Sequence, residues 1–132
     1  MSIKITENVN ELAQHIHERN VKAGWWTDIA TGESLTSKGN EPAKRNVPEM
    51  LCLVHSEISE AMEGYRKNLM DDKLPHRKML EVELADAVIR ICDMSAGLGL
   101  DLGGAIAEKL DFNAVREDHK PENRLTENGK KF

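Results

Sequence analysis

Aromatic residues are scarce in this 132-residue chain, where two Trp, two Phe and one Tyr make up 4% of the total. So few rings argue against a β-sandwich or a base-stacking sheet, both of which draw on aromatic side chains. Cysteine is rarer still: Cys52 and Cys92 both sit inside apolar helical patterns and are expected to be buried, reduced thiols. The uncharged apolar stretch Met50 to Val54 is far too short to span a bilayer, and no other run approaches the length needed. Met1 to Glu7 hold no apolar signal core, so a cytoplasmic protein with no membrane partner is expected. Positive charge is also in deficit, with 18 Lys+Arg against 23 Asp+Glu and a net charge of −5. That balance argues against a generic binder of nucleic-acid backbones, and no nucleic-acid partner is expected.

What is present is helical periodicity. The length makes one domain the default, and no strand-like alternation rivals four helical patterns. The first pattern begins near Thr6, a plausible N-cap, and carries Val9, Leu12, Ala13 and Ile16 before ending near Gly24. Residues 25–46 form a long polar loop, and a loop of that length is usually functional or mobile. The second helix runs from about Asn46, with Pro48 in its first turn, to about Asn68. After the connection Asp71-Asp72-Lys73-Leu74-Pro75, a third runs from about His76 to Ala96 and stops at Gly97-Leu98-Gly99. Asp101 caps a fourth that reaches about Asp118. Residues 1–118 thus read as a single all-α domain, and 119–132 as a polar tail, extended or disordered.

The third helix is apolar around most of its circumference, which places it centrally among other helices. Yet Glu83, Asp86, Arg90 and Asp93 recur along it at steps of three or four. That stripe faces either water or a polar site inside a bundle. On the second helix Glu57 and Glu60 share a face at the same spacing, and Glu63 continues the row. If the two helices pack antiparallel, the acidic pairs can meet. Converging carboxylates raise one another's pKa, and a hard divalent cation relieves this. A lone Glu-x-x-Glu is commonly a solvated face, but two pairs on adjacent helices favour an all-carboxylate Mg²⁺ or Mn²⁺ site. No Glu-x-x-His occurs, so the di-iron bundle pattern is not met. His15, His17, His55, His76 and His119 form no spaced ligand set.

The run His55-Ser56-Glu57-Ile58-Ser59-Glu60-Ala61-Met62-Glu63-Gly64-Tyr65-Arg66, followed by Glu83-Leu84-Ala85-Asp86-Ala87, resembles the MazG-type nucleoside triphosphate pyrophosphohydrolases. Their signature is Glu-x-x-Glu, an interval, then Glu-x-x-Asp, and the interval 61–82 falls in the family's range. The resemblance covers residues 46–118. It implies a four-helix-bundle-like MazG fold and Mg²⁺ bound by Glu57, Glu60, Glu83 and Asp86. It also implies cleavage of a (d)NTP to monophosphate and pyrophosphate, with Glu57, Glu60 or Glu63 orienting water. Lys109, Asn113 and Arg116 resemble a further family stretch, implying contacts to phosphate and to sugar or base. The plainer alternative leaves Lys109 and Arg116 as surface cations near a helix C-terminus.

Trp25 and Trp26 either stack on a base or anchor the loop to the core. The stretch Lys120-Pro121-Glu122-Asn123-Arg124 either covers the site or stays solvated. Family members are typically dimers or tetramers, and an apolar third helix needs more cover than one small bundle readily provides. A homodimer or homotetramer with a nucleoside triphosphate substrate is therefore expected, in nucleotide-pool house-cleaning. Two rivals stay open. One is a related hydrolase acting on dUTP, dCTP or phosphoribosyl-ATP; the other is a non-catalytic helical interaction module.

Overall fold

Asn46 illustrates how this chain starts its helices. Its side-chain oxygen accepts the Glu49 N–H at 3.2 Å, and Pro48 occupies the first turn, where its missing N–H costs nothing. The computed structural model describes residues 2–132 and is all-α: α1 Ser2–Lys22, α2 Val47–Arg66, α3 Met79–Gly97, α4 Leu102–Val115 and α5 Pro121–Arg124. Among the described residues no strand forms, and none of the helices is long and apolar enough to cross a membrane.

The helix starts differ from expectation where local hydrogen bonds intervene. α1 begins at Ser2, so Thr6 lies inside it and bonds its hydroxyl back to the Ser2 carbonyl at 3.0 Å. α3 begins at Met79 instead of near His76, because Asp71 holds the preceding residues in a turn. Its carboxylate accepts the N–H groups of Lys73 and Leu74 at 3.0 and 2.6 Å, and its own N–H reaches Arg77 O at 2.9 Å. Gly99 closes α3 as the Gly-rich stop predicts: it adopts φ +70°, and the Leu100 N–H returns to Ser95 O at 2.8 Å.

The chain divides into two compact units, residues 11–100 and residues 2–10 with 101–132, and α1 contributes to both. In the first unit α2 and α3 pack together. Gly64 lies against Met79, Glu57 meets Arg90, and Met50 shares a small core with Met94 and Trp26. Rising numbers on α2 meet falling numbers on α3, so the pair is antiparallel. The packing inverts the expected burial of α3. Its charged residues Glu83 and Asp93 are buried, while Leu84, Val88 and Ile89 are 45%, 48% and 39% exposed. α3 is therefore not the enclosed central helix that its composition suggests. Cys92 is buried, but Cys52 is exposed; both are free thiols.

In the second unit Asp101 caps α4, accepting the Gly104 N–H at 2.9 Å. Asn10 braces this cap, donating to Asp101 at 2.7 Å and accepting the Gly103 N–H at 2.8 Å. α4 stops at Val115, short of Asp118, because Arg116 turns extended before a 3-10 turn at Glu117–His119. The tail is not extended. Beyond α5 it folds back, with Arg124 donating to the carbonyls of Lys130 and Lys131 at 3.2 and 3.1 Å.

Candidate metal centre

The i, i+3 spacing of Glu57 and Glu60 sets both on one face of α2, and antiparallel packing brings Glu83 of α3 to them. Each offers a carboxylate oxygen, and these oxygens lie within 4.8 Å of one another. Glu57 and Glu83 are each only 8% exposed, while Glu60 opens to solvent. Such a group is able to hold a metal ion.

Its electrostatics are unfavourable as it stands. Burial, the hydrogen bond with Glu57, and the charges of Glu60, Glu57 and Asp86 push the Glu83 carboxyl up to about 7. Asp86 is raised too, first by burial and then by the Glu57 charge, with Arg90 opposing. Arg90 supplies the direct compensation: its Nε–H donates to Glu57 Oε1 at 2.6 Å. Asp86 lies beside this group but outside the three that converge.

A cleft of about 430 Å³ adjoins these residues, lined by Glu57, Asp86, Arg90 and Asp93 on α2 and α3, by Asn20 on α1, and by Trp25 and Arg45 of the loop. The α3 stripe therefore faces a polar site, not bulk water. Trp25 is 69% exposed at this cleft, whereas Trp26 is 1% exposed and takes the anchoring role. The Trp26 Nε1–H donates to Asp93 Oδ1 at 2.9 Å, and His17 Nδ1 donates to the same oxygen at 2.8 Å. The His17 ring meets the indole edge-on, with centroids 4.7 Å apart, and the Arg45 guanidinium covers it at 4.7 Å. On Gly97 a Cβ would lie 2.2 Å from the indole, so only glycine admits Trp26 there. These contacts leave the Trp26 ring no face for a base, and base stacking at that residue is set aside.

The remaining candidates have other partners. Glu63 pairs with Lys67 and Arg66 at 2.5 and 3.2 Å, and Lys67 chiefly holds its carboxyl low. Lys109 and Arg116 both lie over the Phe112 ring in the second unit, and Arg116 is engaged by Asp118 at 2.9 and 2.7 Å. Asn113 Oδ1 is buried there without a hydrogen-bond partner. Asn20, Arg45 and Arg90 escaped the sequence reading as site residues. Only Arg90 carried a signal, as the single cation in the acidic stripe of α3. No protein-family model, curated protein or solved structure matches the chain.

Proposed function

We propose that this protein is a Mg²⁺-dependent nucleoside triphosphate pyrophosphohydrolase of the MazG type, clearing surplus or modified nucleotides. The observation that carries the reading is the convergence of Glu57, Glu60 and Glu83 beside an open polar cleft. The donor set fits the ion, because every ligand is a carboxylate oxygen and Mg²⁺ prefers oxygen. The raised carboxyl of Glu83 marks a group in need of positive charge. Glu57, Glu60 and Glu83 would hold the ion, with Asp86 beside them. When bound, Mg²⁺ supplies charge neutralisation at the phosphate oxygens and orients them for in-line attack.

The chain's own residues do the rest. In this reading Glu60, which opens to solvent, aligns and deprotonates an attacking water. Trp25 offers an open ring face to a base, and Asn20 a hydrogen-bonding edge near it. Lys109, Asn113 and Arg116 enter this reading through the sequence resemblance alone. The exposed apolar residues of α2 and α3, Ile58, Met62, Tyr65, Leu84 and Val88 among them, support a homodimer or homotetramer. A monomeric mass at micromolar concentration contradicts that part.

The test is pyrophosphate release from each dNTP and NTP, with and without Mg²⁺. Release is expected only with the metal, and Glu57→Ala should reduce it on the order of 10²–10³-fold while helicity is retained. No release from any nucleotide overturns the enzyme reading. The same panel separates a broad activity from a dUTP- or dCTP-selective one.

A further inference from the structure

Arg90 has two features that a merely structural ion pair does not require. Its Nε–H is committed to Glu57 Oε1 at 2.6 Å, which puts a guanidinium on one of the three converging carboxylates. Yet its side chain remains 41% exposed and lines the cleft, with Glu57 only 10% exposed beneath it. One residue thus touches both the acidic group and the space in which an anionic ligand would lie. Arginine presents five donors in a planar fork that suits phosphate as well as carboxylate.

Two cations cannot both make full use of the Glu57 charge. A metal ion held by Glu57, Glu60 and Glu83 weakens the hold of Glu57 on Arg90. A polyphosphate in the cleft offers the released guanidinium several oxygens instead. We propose that Arg90 is an exchangeable counter-ion, paired with Glu57 when no metal is present and transferred to substrate phosphate when a metal–polyphosphate complex enters. This rests on the proposed metal-dependent function and adds to it a phosphate-binding residue. It also accounts for how the acidic cluster folds without a metal: Arg90 satisfies Glu57, a buried carboxylate that faces the cleft. The exchange needs only side-chain torsions, since α2 and α3 already hold both partners at the cleft.

The two roles predict effects of opposite sign in Arg90→Gln. Mn²⁺ binding without any phosphate, measured by calorimetry, should tighten about 2–5-fold, because a partly exposed competing ion pair is removed. Binding of inorganic tripolyphosphate in saturating Mg²⁺ should weaken about 10–100-fold, the scale of lost hydrogen bonds to a charged group. Arg90→Lys keeps a cation and should fall between the two proteins in both measurements. A static ion pair predicts otherwise: both affinities weaken together, or neither changes, and either result overturns the exchange. The unmodified protein gives a measurement independent of variant folding. Its Arg90 Nε–H resonance should shift on adding Mg²⁺ and shift again with tripolyphosphate, and an unmoved resonance overturns the proposal. If the unmodified protein takes up no Mn²⁺, the metal reading itself falls and the exchange with it. Mn²⁺ uptake that Arg90→Gln leaves unchanged overturns the exchange alone.

Discussion

The two units of this protein differ in one group of acidic residues. In residues 2–10 and 101–132, acids have local partners. Asp101 is held low by Asn10 and the Gly104 N–H, Glu117 by Lys120, and Asp118 by Arg116. Those charges lie on the surface and cap or brace the elements that carry them. In residues 11–100, Glu33 and Glu63 are likewise held low by Lys44 and Lys67. But Glu57, Glu60 and Glu83 converge with Asp86 beside them, Arg90 pairs with Glu57 alone, and burial raises Glu83 and Asp86. Equal chemistry therefore stabilises where each acid has its own partner and strains the cluster at Glu83. The difference lies in burial and in the number of partners, and retained strain of this kind is typical of a functional site.

Three experiments probe that contrast. The largest stability effect is expected from Glu83→Gln, which removes the strained charge while keeping the shape. At pH 8 the metal-free variant should be more stable than the parent by on the order of 1–2 kcal/mol. It should also lose the rise in melting temperature that Mg²⁺ gives the parent. A variant that melts lower, with its Mg²⁺ response intact, would place Glu83 among ordinary buried acids.

A pH series extends this. The Glu83 carboxyl binds its proton more tightly in the folded chain than in the unfolded one. Its contribution is therefore fully present below about pH 4.5 and is lost as the pH rises toward about 7. Asp101, Glu117 and Asp118 act with the opposite sign, contributing above their unfolded pKa and losing that contribution as the pH falls through their folded values. Melts in chelator should fall across the first window, and the fall should flatten in Glu83→Gln or in saturating Mg²⁺. A rising curve there breaks the contrast. The smallest effect is expected from Asp101→Ala, which removes the α4 cap and its bond to Asn10. Its melting temperature should drop slightly, with Mg²⁺ binding unaffected.

Much of the helical content was legible along the chain. Asn46 with Pro48, and Asp101, act within one turn of themselves, so the starts of α2 and α4 follow from local chemistry. The true starts of α1 and α3 were less legible. Thr6 serves equally as a cap or as an interior residue bonded to Ser2, and Asp71 diverts the residues before Met79 into a turn. The tail looked unstructured because its bonds, from Arg124 to Lys130 and Lys131, leave no periodic signal.

The site divides along the same line. By itself the sequence determined that the chain is helical and that Glu57 with Glu60, and Glu83 with Asp86, share helix faces, because 3.6-residue periodicity is a local property. Only the tertiary structure decided that Glu83 joins Glu57 and Glu60 while Asp86 stands beside them, and that Arg90 pairs with Glu57. It also separated Trp25, open at the cleft, from its neighbour Trp26, buried against Asp93 and Gly97. These outcomes depend on the register and rotation of α2 against α3 and on the path of the loop. Both are set by packing between residues distant in sequence, where no local rule applies.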